Sequence, residues 1–590
     1  MKQFFKMMFA SVLGVFVALG AFILVAVIVL AGVAKGMMGS SDYVPNPNTV
    51  FKISLSGDLT DNDNDTNDML ALLMGEEPSA SLKALLEAIE KAKGNEQVKG
   101  IYLDANGLQT GTANRQALRR ALMDFKKSGK FIVAYADTYT QGDYYLCSTA
   151  DKVFLNPQGM LDVTGLSTQT MFYKGLTEKL GIRVETFKVG TYKGAVEPFL
   201  LDKLSDANRE QMNSYMTSVW GNIAGGIAES RGLTADAVNR IADEGILFAE
   251  QQKTVEYGLV DELKYRDEAE AYVKELAGQS GKKLKTADLD KIRSLQSVKE
   301  EKGDLIAVLY AEGTITSEDV PAPFNAIEST ITEEAGDELA KLRDNEDVKA
   351  VVFRVNSPGG SAYISEQIWH QVAELKKVKP VVVSMGNVAA SGGYYISCAA
   401  SRIVAEPSTL TGSIGIFAQI PTAEAALQKV GITADGVKTN RFADFGELNR
   451  SFREDEKALL QASIERGYDL FVTRCADGRG MTKEAIDSVA QGRVWTGEQA
   501  VEKGLIDELG GMETAIRSAA ALAELTDYRI VNVSASKDFL QDIIEKLWDN
   551  LTGSALKSIS GIDHGYIKVL NELRTPSGIQ ARIPYDLKPL

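Results

Sequence analysis

The pentapeptide Asn95-Glu96-Gln97-Val98-Lys99 returns as Asn345-Glu346-Asp347-Val348-Lys349, and Tyr144-Tyr145 returns as Tyr394-Tyr395, each 250 positions later. The same offset carries Pro157 onto Pro407, Gly165 onto Gly415, and Lys179-Leu180-Gly181-Ile182 onto Lys429-Val430-Gly431-Ile432. Gly258-Leu259-Val260-Asp261-Glu262-Leu263 is echoed by Gly504-Leu505-Ile506-Asp507-Glu508-Leu509 at a shift of 246, so a few residues were gained or lost between the copies. A repeat of this length restricts the chain to two copies of one architecture. Within each copy, short β-branched runs alternate with helical stretches, the pattern of parallel βαβ construction. In the second copy residues 349–355 (KAVVFRV) and 380–385 (PVVVSM) read as buried strands, followed by helices over 366–376 and 389–400. The first copy repeats this with strands at 100–103 and 131–136 and helices at 115–127 and 142–149. Parallel neighbours need crossovers, so each unit is expected to be a stack of right-handed β-α turns.

These periods divide the 590 residues into a first unit at 41–278, a linker at 279–303 rich in Lys, Asp, Ser and Gln, a second unit at 304–535 and a tail at 536–590 with no assignable role. Residues 205–231 read as a long capped helix inside the first unit. The acidic run 58–68 is expected to be a solvated loop, because Thr66 and Leu72 stand where a calcium loop needs its turn glycine and bidentate glutamate. Three scattered cysteines, Cys147, Cys398 and Cys475, make neither a disulfide framework nor a zinc spacing, so no metal and no cofactor is expected. A net charge of −16 argues against a nucleic-acid partner, which requires a basic footprint.

Residues 1–40 read as a cytoplasmic stub and membrane anchor. Positions 9–34 are uncharged and almost wholly apolar, longer than the ~20 residues that span a bilayer and longer than the apolar region of a cleaved signal peptide. Lys2 and Lys6 precede the span and Lys35 alone follows closely, which places the bulk of the chain outside the cytoplasm.

The copies differ where chemistry is expected. The second has Asn356-Ser357-Pro358-Gly359-Gly360-Ser361, whose paired glycines let backbone N–H groups approach a ligand, against Asn106-Gly107-Leu108-Gln109-Thr110-Gly111 in the first. It also has Asn387-Val388-Ala389-Ala390-Ser391-Gly392-Gly393, a strand-to-helix turn that puts Ser391 at a helix N-terminus with free N–H groups and a positive dipole end, where the first has Gln141. A serine there is commonly just a helix cap, but the glycine loop one β-α unit earlier supplies the convergent donors that acyl transfer needs. The usual base would be histidine. His370 sits mid-helix beside Trp369 and His564 in the tail, and neither belongs to a triad arrangement. The first copy offers Lys193 in Lys188-Val189-Gly190-Thr191-Tyr192-Lys193-Gly194-Ala195-Val196-Glu197-Pro198, and the offset places Ala443 opposite it. A lysine in an apolar pocket can become a neutral amine able to take a serine proton, although a solvated lysine and simple drift at Ala443 would read the same way.

Together these residues resemble the long, duplicated form of the signal peptide peptidase A (protease IV) family, from the anchor to about Gly511. The match is carried by GTYKGAVEPF around Lys193, NSPGGS at 356–361 and NVAASGGYYIS around Ser391. NSPGG is also similar to the proteolytic subunit of Clp protease, so the resemblance implies an α/β fold of two tandem crotonase-like (Clp-protease-like) β-α spirals behind one transmembrane helix. It further implies Ser391 as nucleophile, Lys193 as general base, an oxyanion hole from the amides of Gly359 or Gly360 and of Gly392, and Ser413 as a hydrogen-bond partner of the lysine amine. The Clp relative would carry a histidine where Ile416 stands, in keeping with lysine as base. Peptide substrates such as signal peptide remnants, membrane lipid around the anchor, a homotetramer and a position on the outer face of the cytoplasmic membrane are also implied. A crotonase-like acyl-CoA enzyme and a noncatalytic membrane scaffold are the competing expectations.

Overall fold

A computed structural model describes residues 43–63, 80–281, 283–296, 303–317, 330–534 and 580–582. The apolar segment 9–34, residues 64–68 of the acidic run and His564 lie outside them. Among the described residues no helix is long and apolar enough to cross a membrane.

Each copy folds around its own sheet, parallel throughout except for the antiparallel edge strand Val494–Thr496 of the second. In the first, strands Ala80–Ser81, Thr49–Thr60, Val98–Gln109, Phe131–Tyr139, Lys152–Leu161 and Glu262–Leu263 lie side by side in that order. In the second the order is Val494–Thr496, Leu410–Gly412, Val381–Ala390, Val348–Ser357, Asp304–Glu312 and Tyr528–Ser534. The central strands read as near-continuous apolar runs because helices cover both faces, and Val351, Val352, Phe353, Val381, Val382 and Val383 are fully buried. Corresponding strands are neighbours in both halves, Val98–Gln109 beside Phe131–Tyr139 in one and Val348–Ser357 beside Val381–Ala390 in the other. The stretch expected as a linker contributes strand Thr286–Ala287, paired in parallel with Thr49–Thr60, and helix Leu289–Arg293; the carbonyls of Arg293 and of Leu295 just beyond the helix accept from the Lys91 ammonium. It thus occupies the place that Tyr528–Ser534, beside Asp304–Glu312, has in the second half.

A third sheet joins the halves. Its order is Thr330–Ile331, Thr314–Ile315, Gly359–Ser361, Gln580–Arg582, Phe417–Thr422 and Arg183–Lys188. Arg183–Lys188 of the first half runs antiparallel to Phe417–Thr422 of the second, with Lys188 opposite Phe417, and so delivers the following loop, which carries Lys193, to the second half. The long helix Asp206–Arg231, capped by the Ser205 side chain, lies along the far edge of the second sheet, where the Gln211 carboxamide accepts from Val494 N–H at 3.1 Å.

The helix expected over 389–400 is instead the four-residue helix Gly392–Tyr395. Ala389 and Ala390 remain in strand Val381–Ala390 because Val388, Ala389 and Ala390 pair with Leu410, Thr411 and Gly412. Cys147, Cys398 and Cys475 are free and buried. His370 is exposed on helix Ala362–Lys376.

Candidate active site

Ser391 sits where strand Val381–Ala390 turns into helix Gly392–Tyr395, and the turn forces it to φ 56°, ψ −113°. A side-chain-bearing residue in such a region costs about 1–3 kcal/mol, and the surroundings must hold it there. They do so through the Ser391 N–H, which donates to Gly412 O at 2.8 Å, and the Ser391 carbonyl, which accepts from Tyr395 N–H. One turn of helix carries little macrodipole, so the expected dipole contribution at Ser391 is small.

Lys193 and Ser391 meet, although 198 residues separate them. The lysine Nζ lies 2.9 Å from Ser391 Oγ, 3.1 Å from Ser413 Oγ and 3.3 Å from the Ser413 carbonyl oxygen. Lys193 and Ser391 have no exposed surface and Ser413 is 1 % exposed. Burial alone lowers the Lys193 pKa from 10.5 to about 7. As an ammonium, Nζ has three N–H donors for its three oxygen acceptors. As an amine it has a lone pair that can accept from the Ser391 hydroxyl. Near neutral pH both forms are accessible, which is what a base for a serine hydroxyl requires.

The lysine loop is gripped by the second half. Tyr192 N–H donates to Gln491 O at 2.9 Å, and Gln211 on the long helix donates to Tyr192 O at 2.8 Å. Gly492 has φ +78°, and a Cβ there would stand 2.7 Å from the Lys193 backbone. Behind Lys193, the Glu197 carboxylate accepts from Ser205 Oγ at 2.6 Å and Asn208 Nδ2 at 3.0 Å, fixing the turn. Gln211, Gly492, Glu197 and Asn208 were missed as contributors by the motif reading; only Glu197 stands inside a quoted motif.

Gly359 and Gly360 lie in a strand beside the serine turn, with φ +97° and +155°. A Cβ on Gly360 would come within 2.0 Å of Ile315 O, so only glycine fits. Gly359 N–H donates to Ser357 Oγ at 3.1 Å, and Gly393 is packed so tightly on Ser357 that a Cβ would lie 2.6 Å from its carbonyl oxygen. Asn356 ties loop to turn by accepting from Val388 N–H at 3.2 Å. The halves are clamped above the site: Asn387 accepts from Asn114 N–H at 2.9 Å, and buried Arg354 donates to Asp61 at 2.7 Å and to Asn114 Oδ1 at 3.2 Å. Burial, with Asp61 nearby, pushes the Glu312 carboxyl in this cluster up to about 8.

The first half has filled its corresponding place. Gln141 stands in the position of Ser391, and its carboxamide oxygen accepts from Thr164 and Gly165 N–H at 3.1 and 2.9 Å. Asp143 stands in the position of Gly393, and its carboxylate accepts from Gly107 and Leu108 N–H at 2.9 and 3.2 Å. Ala443, opposite Lys193 in the repeat, is exposed in a turn.

Twin spiral α/β halves with a serine on a strained strand-to-helix turn beside a glycine loop belong to the Clp-protease-like class, and residues 299–410 match the Clp protease family. Residues 124–280 and 373–526 match Peptidase family S49, once in each half. Protease 4 of Salmonella typhi is 35% identical over 526 residues, covering 86% of this chain and 79% of that protein. Protease 4 of Haemophilus influenzae is 36% identical, covering 80% and 78%, and the chloroplastic serine protease SPPA of Arabidopsis thaliana is 33% identical, covering 85% and 74%. The chain belongs to peptidase family S49 and is a serine peptidase.

Proposed function

We propose that the protein is a membrane-anchored endopeptidase in which Ser391 is the nucleophile and Lys193 its general base, acting on cleaved signal peptides and other hydrophobic peptides. The observation that carries this reading is the 2.9 Å approach of Lys193 Nζ to Ser391 Oγ in full burial. The amine takes the hydroxyl proton as Oγ attacks the peptide carbonyl. The resulting ammonium returns that proton to the departing amine, and water then releases the acyl group by the same steps. Amides of Gly359 or Gly360 and of Gly392 are assigned to the developing oxyanion, and Ser413 orients the amine. Residues 9–34 anchor the chain, with both halves on the outer face of the cytoplasmic membrane, where a tethered site meets membrane-derived peptides at high effective concentration. A homotetramer is the expected assembly.

Peptidase assays of Ser391→Ala and Lys193→Ala test the dyad, and each should lose at least about 10³-fold in kcat/KM, as expected for residues acting as one unit. In the wild type, kcat/KM should rise with pH to a plateau above about 7, because only the amine form of Lys193 can accept the proton. A flat profile from pH 6 to 9 contradicts the assignment.

A further inference from the structure

We propose that Gln419 and Thr186 form a polar subsite beside the dyad, which takes a substrate side chain ending in a hydrogen-bond acceptor, an amide or a carboxylate, at a position removed from the bond that is cut. The inference deepens the peptidase reading and rests on the Ser391 and Lys193 roles proposed above.

The ribbon that joins the halves has two unlike faces. Strands Arg183–Lys188 and Phe417–Thr422 run antiparallel, with Phe417 opposite Lys188, Ala418 opposite Phe187 and Gln419 opposite Thr186. Side chains alternate along a strand, so Phe187 and Ala418 share one face, and both belong to the core of the second half. Phe417, Lys188, Gln419 and Thr186 share the other. That face looks onto the dyad: Lys193 Nζ lies 5.8 Å from the centroid of the Phe417 ring, and Lys188 Nζ donates to the Lys193 carbonyl oxygen at 3.5 Å.

The polar pair on this face is unsatisfied. The Gln419 amide nitrogen and the Thr186 hydroxyl oxygen are buried without a hydrogen-bond partner among the described residues, although both residues keep some exposed surface. Buried polar groups left in this state are costly, and an acceptor brought by a ligand removes the cost. The pair also stands beside an available edge. Among the described residues, Phe417–Thr422 is paired on its side away from Arg183–Lys188 at Phe417 only, which leaves that edge from 418 to 422 for the main chain of an extended peptide.

A peptide strand added there sets every second side chain on the polar face, with the one opposite Gln419 about 5 Å away. Gln419 lies two residues, about 7 Å, beyond Phe417, so the side chain it meets is not one that flanks the cut bond. The Gln419 N–H groups, the Thr186 hydroxyl and the Lys188 ammonium all offer hydrogens, which selects an acceptor and disfavours a basic residue.

Kinetics on a quenched fluorescent peptide series test this, with Gln, Leu or Lys placed at each position of an apolar peptide in turn and the cut located by mass spectrometry. In the wild type, Gln should exceed Leu by about tenfold in kcat/KM at one position at least two residues from the cut, mainly through KM, and Lys should fall below Leu. In Gln419→Leu the Gln-to-Leu ratio should drop to about one. Thr186→Val should lower the same ratio, and carries the test if Gln419→Leu fails to fold. A purely structural role lowers hydrolysis of every peptide together and leaves the ratio where it was. No preference for Gln in the wild type, a preference confined to the residues flanking the cut, or a ratio that survives these substitutions overturns the subsite, while hydrolysis that still depends on Ser391 leaves the dyad standing. Hydrolysis that persists in Ser391→Ala overturns the dyad itself.

Discussion

Lys193 shows what a single buried amine does to a folded protein. Its partners are two hydroxyls and a carbonyl, none of which carries a charge to offset the ammonium. With the folded pKa near 7 against 10.5 in the open chain, the unfolded state binds more protons between those values. The stability contributed at Lys193 therefore rises with pH across that window, by about 1.4 kcal/mol per pH unit, and below pH 7 the penalty stands in full. Lys193→Met should accordingly gain stability over wild type at pH 6, and the gain should shrink steadily as pH approaches 10. Urea unfolding at pH 6, 8 and 9.5 measures it, and a pH-independent difference would contradict a buried neutral amine. Ser391 and Lys193 were legible in the sequence because each copy had lost what the other kept. Gln211, Asn208 and Gly492 were not, because their contacts to the lysine loop come from a distant helix and from the other half, at spacings no local motif records.

At the level of elements, the four strands expected at 100–103, 131–136, 349–355 and 380–385 are present with ends that extend further, whereas their neighbours Thr49–Thr60, Lys152–Leu161, Asp304–Glu312 and Tyr528–Ser534 were not singled out. The serine helix was overestimated because Ala, Gly, Ser and Cys are compatible with either state, and pairing with Leu410–Gly412 decided for strand at Ala389 and Ala390. The sheet joining the halves was invisible, since its strands come from five separate stretches of chain plus the tail. Gly360 is where that sheet is least tolerant. Gly360→Ala forces a Cβ into the Ile315 carbonyl and should lower kcat/KM by about 10²-fold, the scale of a small misplacement near reacting atoms. Thermal unfolding should shift as well, because Ile315, Ile331, Phe187 and Ala418 of that sheet belong to the core of the second half, so activity is compared at a temperature where the variant stays folded. Peptide hydrolysis and melting temperature, measured together, decide it.

For the whole molecule, the Lys193–Ser391 contact exists only while the halves hold one register, and the Arg354–Asp61 pair, 5 % and 1 % exposed, lies at that boundary. Asp61→Asn leaves the guanidinium without its counter-charge and should cost about 3–5 kcal/mol, whereas replacing both by apolar residues of similar volume should recover most of it. Urea denaturation of the single and double variants checks this, and activity should follow stability if the pair acts through register alone. The duplication was plain from the sequence, but how the copies lean on each other was not. The first half carries a further consequence. Its Asp143 carboxyl, whose pKa burial pushes up, accepts from two loop amides, and Gln141 caps the neighbouring turn. Placing serine at 141 alone would leave the Asp143 carboxyl on the loop amides, and removing Asp143 alone would strip the buried Arg115 of its nearby carboxylate. Neither single change therefore gives the first half the arrangement of the second, and the asymmetry between the halves is held by more than one contact at a time.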